Sequence, residues 1–337
     1  MNNQPVVLLD RSAVDRLLGA FDVVDAVENI LRQKFHKRIQ LPSEATLYWS
    51  TADDRTARSI GMPGGLVDWS AYGMKVINSS LANTAKGIPR ASGLVLLFDA
   101  ETARIQAVIE AARISALRTA LVSLVGAQRL ANLQPLRLGL IGCGPIGVAH
   151  LEIFLTNLSV EHLYLYDRDE KVVAQIAARV SNWGYRGKIE VVQSVPALFS
   201  NANCIVMATT VTESYIGCDI IRAGQTLINV SLDDLDEDVF YAADQIWVDD
   251  LELVFDDKRR RLGKILRAEQ AEHRNRAINL RGSIDELVAS DRVARKHIDE
   301  IVIFNPFGMS ILDVGIASLV FKQALAQNSG DLFDFAA

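Results

Sequence analysis

Residues 136–147 read LRLGLIGCGPIG, an apolar run that leads into Gly142, Gly144 and Gly147 spaced as G-x-G-x-x-G. Alone, that spacing is weak. Between an apolar strand over 136–141 and a helix over 145–158 it is the fingerprint of a dinucleotide-binding turn. Gly142 allows the tight turn, Gly144 lets a pyrophosphate approach the backbone, and Gly147 lets helix and strand pack closely. The helix N-terminus, with Pro145 and Ile146 in its first turn, offers free N–H groups and a partial positive charge to phosphates. The next strand, over 162–166, ends at Asp167, 20 residues after Gly147. An acid there bonds a ribose 2′-hydroxyl and repels a 2′-phosphate, so the spacing predicts NAD. Arg168 is the counter-signal, because an Arg accommodates the phosphate of NADP. The plainer reading is a glycine-rich turn followed by a surface Asp.

Outward from this stretch the pattern stays strand, helix, strand. A helix over 171–183 precedes apolar strands over 189–192, 204–208, 226–230 and 245–248, with 301–304 as the last. Alternation of this kind predicts an α/β fold, a Rossmann-type doubly wound parallel sheet. The chain before it reads differently. Asp22 is placed to cap a helix reaching Phe35, with apolar residues at helical spacing. Short β-prone stretches follow over 46–49, 59–62, 72–77 and 93–98, and 105–110 returns as a hairpin partner across the turn at Asp99. A helix over 112–130 ends at the break Asn132-Leu-Gln-Pro. A last helix over 311–327 carries an apolar stripe suited to the N-terminal part. The predicted division is an α+β domain over 1–130, completed by 309–337, and a cofactor domain over 131–308.

The chain has 337 residues, 50% of them hydrophobic, and a net charge of −6. Such a mixed, acidic balance argues against nucleic acid or an anionic membrane as partner. Cys143, Cys204 and Cys218 stand far apart, so neither a disulfide framework nor a metal site is expected. The first residues lack a signal-peptide pattern, and no apolar run reaches the roughly 20 residues of a membrane span. A cytoplasmic setting is the expectation. The five histidines form no ligand spacing, and His150, on the first Rossmann helix, reads as structural. The run Lys258-Arg-Arg-Arg reads as a solvated helix face rather than a nucleic-acid patch.

The segment 86–120, KGIPRASGLVLLFDAETARIQAVIEAARISALRTA, and the IGCGPIG that follows it resemble the ornithine cyclodeaminase/μ-crystallin family. Members pair a substrate-binding and dimerisation domain with a central Rossmann domain, so the resemblance implies a homodimer. Within the family, PRASG (89–93), IGCGPIG (141–147), TVTESYI (210–216), VDD (248–250) and NPFGM (305–309) are similar to one branch. That branch acts on N-(2-amino-2-carboxyethyl)-L-glutamate in siderophore pathways, oxidising it with NAD to 2-oxoglutarate and 2,3-diaminopropionate. Carried over position by position, the resemblance makes Lys75 a contact of the substrate carboxylate and Arg118 a residue beside substrate and cofactor. It makes Thr119 a cofactor-phosphate contact and places Thr209 and Thr210 against the cofactor. Ser231, in the loop after the strand over 226–230, joins the expected cofactor set. Two acids of the cyclodeaminases are missing: Leu232 stands where their catalytic Asp aligns, and Ile60-Gly precedes Met62-Pro63. Asp233 is one residue away.

The chemistry sets the remaining expectations. Amine oxidation removes a hydride from Cα, and the protein must hold that carbon over the nicotinamide. Carboxylate clamps do this, and Arg gives a planar two-point grip. A substrate with three carboxylates calls for several cations without matching acids. Arg58, Lys75, Arg90 and Arg118 are the candidates, with Asp313, just after NPFGM, as a group to move protons. Each has a duller reading: Arg58 follows Asp53-Asp54 and suits a surface ion pair, Arg90 suits pairing with a nearby acid, and Lys75, Arg118 and Asp313 suit solvated faces. Competing activities are cyclodeamination, alanine oxidation, ketimine reduction, or ligand binding without catalysis.

Overall fold

The computed structural model describes residues 5–131, 134–256, 259–272 and 277–334. Two compact units emerge, one over 1–118 with 308–337, the other over 119–307. The first holds β1 (Val6–Leu9), α1 (Arg11–Leu18), α2 (Val23–Phe35), β2 (Ile39–Gln40), β3 (Ala45–Ser50), β4 (Thr56–Leu66), β5 (Ala71–Ser80), α3 (Ala82–Ala85), β6 (Ala91–Phe98) and β7 (Ile105–Glu110). Helix α4 (Ala111–Leu130) carries the chain from the first unit to the second. The unit boundary thus falls between Arg118 and Thr119, inside a continuous helix, and the helix itself ends near the break expected from the sequence. Asn132 and Leu133 of that break lie outside the described residues.

The second unit continues with β8 (Leu136–Ile141), α5 (Pro145–Asn157), β9 (Val160–Tyr166), α6 (Glu170–Asn182), β10 (Lys188–Val191), α7 (Val195–Asn201) and β11 (Cys204–Met207). Then come β12 (Thr226–Asn229), α8 (Glu237–Ala242), β13 (Gln245–Val248), α9 (Leu251–Asp256), α10 (Arg261–Glu272), β14 (Leu280–Ser283), α11 (Ile284–Ala289) and β15 (Val302–Asn305). The chain returns to the first unit with α12 (Ser310–Ala326) and β16 (Asp331–Phe333).

The first unit is an α+β layer. Its sheet runs β16-β1-β7-β6-β5-β4-β2, with β3 also on β4. Strands β3 to β7 pair antiparallel, and β1 lies parallel to β7. Helix α12 packs on β4, β5 and β6 and also meets α1 and α2. The stripe expected of this helix is therefore wrong in degree: residues 310–318 are buried without interruption. A helix laid between a sheet and two other helices has no solvent face. Gly315 makes the approach possible, since a Cβ there would stand 2.6 Å from Ile30 and 2.7 Å from Leu66.

In the second unit all eight strands are parallel, in the order β10-β9-β8-β11-β12-β15-β13-β14. The chain order reverses between β8 and β11, the switch point at which a doubly wound sheet binds its ligand. The fold class is as expected, and 302–305 is the last strand of this unit along the chain; in the sheet it lies between β12 and β13, and the unexpected β14 forms the edge. β14 reads LRGS, too polar to register as a strand from pattern alone. Central strands such as CIVM and TLIN are buried along their whole length, as a parallel sheet covered on both faces requires.

Helix α4 lies against this sheet through Gly126, where a Cβ would meet the Phe304 ring at 2.4 Å. Alanine normally gains about 1 kcal/mol over glycine inside a helix. Here overpacking against a fully buried ring costs about 1–3 kcal/mol, more than that gain. Gly126→Ala is expected to lower Tm by several degrees in a thermal melt, opposite to the helix-propensity trend; a raised Tm would contradict this packing.

Candidate active site

The dinucleotide turn has the geometry its glycines predict. Gly142 takes φ +95°, and a Cβ there would sit 2.6 Å from the Ala208 carbonyl oxygen. At Gly147 a Cβ would stand 2.0 Å from the Gly142 carbonyl. Gly144 has nothing within 4 Å of its missing Cβ and is exposed. Helix α5 starts there with Pro145 at its first turn and neither a side-chain cap nor an acid in that turn. Pro145 is exposed and Ile146 half-buried. An open, uncapped helix N-terminus behind a bare glycine fits a pyrophosphate.

Asp167 is drawn onto this turn. Its Oδ2 accepts the Cys143 N–H at 2.7 Å and its Oδ1 the Asp169 N–H at 3.0 Å. The half-exposed carboxylate keeps lone pairs for a ribose diol. Arg168 is exposed. Burial, then the Asp167 charge, pushes the Cys143 thiol up to about 12, so it is an inert packing group. His150 is structural as expected: its Nδ1–H donates to the Ile146 carbonyl at 2.7 Å, and Nε2 lies 2.9 Å from Ser123 Oγ. Ser123 in turn donates to the Thr119 carbonyl at 3.0 Å, tying half-buried Thr119 to the start of α5. Burial holds His150 down at about 4, neutral at physiological pH.

Two of the expected cofactor hydroxyls point inward instead. Thr209 Oγ1 donates to Asp234 Oδ1 at 2.8 Å, and Ser231 Oγ donates to the Met207 carbonyl at 3.0 Å. Thr210 is exposed. Asp233 is the acid of this loop that lies one residue from the expected position, and it is half-buried. The buried carboxylate is Asp234, and only burial, not spacing, singles it out.

In the first unit Lys75, Arg118 and Asp313 converge. Lys75 Nζ lies 2.7 Å from Asp313 Oδ2, and Arg118 Nε lies 3.2 Å from the same oxygen, though misaligned for a hydrogen bond. Lys75 also donates to Ser115 Oγ at 3.3 Å, with Arg118 Nη2 at 3.5 Å from it. Exposure is 1% for Lys75 and 0% for Asp313, so the solvated readings of all three residues fail. Asp313 Oδ1 is buried without a hydrogen-bond partner. Burial is the largest influence on Lys75 and lowers it; Asp313 raises it, Arg118 lowers it, and the result is about 8. The expectation of cations without matching acids needs correction here, because one carboxylate serves both. Ser115, one helical turn before Arg118, is a site residue beyond the expected set, and its i, i+3 spacing on α4 is the signal in the sequence. Gly308 in NPFGM also gains a reason: at φ +100°, its missing Cβ would stand 2.7 Å from Arg118 Nη1.

Arg58 and Arg90 form a second cluster. Register pairs Arg58 with Ser79 and Met62 with Lys75, and Ser79 and Lys75 share one face of β5. The two clusters are thus about 14 Å apart along the strand. Arg58 Nε donates to Ser79 Oγ at 3.0 Å. Both arginines are half-buried, and the Arg90 guanidinium is held down first by burial and then by Arg58. Asp53 pairs with Lys86 instead, so the surface ion pair drawn for Arg58 does not form. Neither arginine has an acid in ion-pair range among the described residues.

The basic run is corrected as well. Arg260 donates to the Pro306 and Phe307 carbonyls at 2.7 and 3.0 Å and stacks 4.5 Å over the Phe307 ring. Lys258 and His273 lie outside the described residues. Asp249 of VDD accepts the Phe307 N–H at 2.7 Å, so two of the quoted motifs hold each other. Among the described residues no group of His, Cys, Asp or Glu has the arrangement of a metal site, and no helix is long and apolar enough to cross a membrane.

For the turn, Asp167→Ala is expected to lower kcat/KM with NAD by about tenfold or more while NADP loses little, the loss of a charge-assisted hydrogen bond. An unchanged NAD/NADP ratio would remove Asp167 from the cofactor site.

The chain resembles known proteins over nearly its whole length. The ornithine cyclodeaminase/mu-crystallin family pattern matches residues 4–328. N-((2S)-2-amino-2-carboxyethyl)-L-glutamate dehydrogenase of Staphylococcus aureus is 30% identical over 97% of this chain and 98% of its own. The crystal structure of CmnK superposes with TM-score 0.87 at 30% identity, covering 99% of each chain. The Thermococcus litoralis Δ1-pyrroline-2-carboxylate reductase, in complex with NADH and L-proline, shares the fold at TM-score 0.85 and 24% identity, over 97% of this chain and 99% of its own. The chain belongs to the ornithine cyclodeaminase/mu-crystallin family and is one of its NAD-dependent oxidoreductases.

Proposed function

We propose that this enzyme oxidises N-(2-amino-2-carboxyethyl)-L-glutamate with NAD, giving 2-oxoglutarate and L-2,3-diaminopropionate, a building block for siderophores or peptide natural products. The observation that carries the reading is the presence of two separate cationic clusters on one sheet face: Lys75 with Arg118, and the acid-free pair Arg58 and Arg90. One carboxylate needs one clamp; a substrate with three calls for a second. Alanine oxidation leaves Arg58 and Arg90 without a purpose.

Bound NAD would supply the acceptor for the hydride leaving the carbon that bears the secondary amine. That C–H bond breaks, the amine loses its N–H proton, and a C=N bond forms. Water then adds to the C=N carbon, and the C–N bond breaks to release keto acid and diamine. Arg118 grips the carboxylate beside the reacting carbon, with a fork geometry fixed by Ser115 and by the space at Gly308. Lys75, in its neutral form, accepts the proton and returns it to the departing nitrogen. Asp313 positions Lys75 and keeps its titration near physiological pH rather than lower.

A second copy of this chain is the partner we propose for β3, all six residues of which are exposed, including Leu47, Tyr48 and Trp49. An apolar patch on both faces of an edge strand marks an interaction surface. Sedimentation reads the mass: a dimer is expected, and a monomer at micromolar concentration contradicts the pairing.

A panel of amino acids and N-substituted glutamates, scored for NADH absorbance and keto-acid release, tests the reaction. Stoichiometric NADH and 2-oxoglutarate from the named substrate are expected. Ammonia without net NADH would show cyclodeamination, and cofactor binding without turnover a non-catalytic protein. In Arg58→Ala, KM for this substrate should rise about tenfold or more; alanine as the preferred substrate would overturn the assignment. The kcat/KM profile should climb as pH rises toward about 8 and then level off, because the neutral amine is the working form. In Asp313→Asn the limb should move to lower pH, since the carboxylate raises Lys75.

A further inference from the structure

The stretch TVTESYI is explained by one buried side chain in the second unit. Asp234 is fully buried. Its Oδ1 accepts two hydrogen bonds, from Thr209 Oγ1 at 2.8 Å and from the Tyr215 hydroxyl at 2.7 Å. Its backbone carbonyl accepts the Tyr215 and Ile216 N–H groups at 3.2 and 3.1 Å. Asp236 N–H returns a bond to the Ile216 carbonyl at 2.8 Å, and Ser214 donates to the Asp236 carboxylate. Residues 209–216 are therefore a strap fastened at both ends to the loop after β12. Its start lies against the dinucleotide turn, because a Cβ at Gly142 would stand 3.2 Å from the Thr209 nitrogen.

Two features are unusual for a mere fastening. Asp234 Oδ2 is buried without a hydrogen-bond partner, and no Lys, Arg or His pairs with this carboxylate among the described residues. A carboxylate taken out of water without a counter-ion is costly, so this arrangement is more than a fastening needs. Arg168, whose field reaches the Tyr215 hydroxyl, is exposed to solvent. Burial, then the Asp234 charge, pushes the Tyr215 phenol up, so it is a permanent donor to Asp234. Asp167 closes the half of the sheet built on β8 to β10, while Asp234 follows β12, across the switch point. In a doubly wound sheet that second half carries the nicotinamide mononucleotide.

We propose that Asp234 is a cofactor-positioning residue with an electrostatic bias: through Thr209 and Tyr215 it fastens the strap beside the glycine turn, and its uncompensated charge favours the cationic, oxidised nicotinamide over the neutral, reduced one. This rests on the NAD reading of the turn.

The test measures NAD+ and NADH dissociation constants and the thermal midpoint of the cofactor-free protein. Asp234→Asn keeps an acceptor for Thr209 and Tyr215 and removes the charge. NAD+ should weaken about fivefold more than NADH, a modest screened interaction across the site. The midpoint should hold or rise, because an unpaired buried charge has gone. Tyr215→Phe keeps the charge and loosens the strap, so both forms should weaken alike, by about threefold or more. An unchanged NAD+/NADH ratio in Asp234→Asn overturns the bias, and unchanged affinities in Tyr215→Phe overturn the fastening even where the first variant fails to fold. A wild-type protein that binds neither form would instead refute the NAD reading itself.

Discussion

Lys75 has almost no contact with water, and an ammonium taken out of water is destabilised by several kcal/mol unless a charge of opposite sign meets it. Asp313 supplies that charge from α12, at 2.7 Å. The pair explains why a C-terminal helix must return to a sheet laid down more than two hundred residues earlier, and why α12 is buried around its whole circumference through 310–318. It also explains the chemistry. Burial lowers Lys75 and Asp313 raises it; the opposition of the two leaves it near 8, where an amine can give and take a proton. One carboxylate oxygen, Oδ1, is left over, and Arg118 is held close by the same residue.

The cofactor end obeys a different constraint. There the protein removes side chains rather than pairing them. Gly142, Gly144 and Gly147 clear the turn, and the uncapped N-terminus of α5 is left open. Polar groups that would compete for a phosphate are turned away: Thr209 toward Asp234, Ser231 toward Met207, His150 toward Ile146. Asp167 is the acid that faces the turn, anchored by the Cys143 N–H.

These two constraints differ in how they appear in the sequence. Turn glycines, the strand ending at Tyr166 and the acid after it are local, so LRLGLIGCGPIG and Asp167 were legible, as were the cap Asp22 and the buried runs CIVM and TLIN. Long-range pairings leave no local trace. Nothing within α12 says that Asp313 faces a strand, or that Arg58 meets Ser79 instead of Asp53. Likewise DDLD offers three acids with nothing to separate them until burial selects Asp234. Edge strand β14 escaped because an edge needs no apolar run, and Arg260 read as solvated because its partners, the Pro306 and Phe307 carbonyls, are backbone atoms.

The proposed chemistry depends on the protonation behaviour of one side chain. NMR titration of the Lys75 side chain in the folded, cofactor-free protein reads it directly. A midpoint near 8 is the result the buried pair requires. A midpoint near the ordinary lysine value of about 10.4 would mean that Lys75 is neither buried nor available as a base, and the proposed chemistry would fall with it.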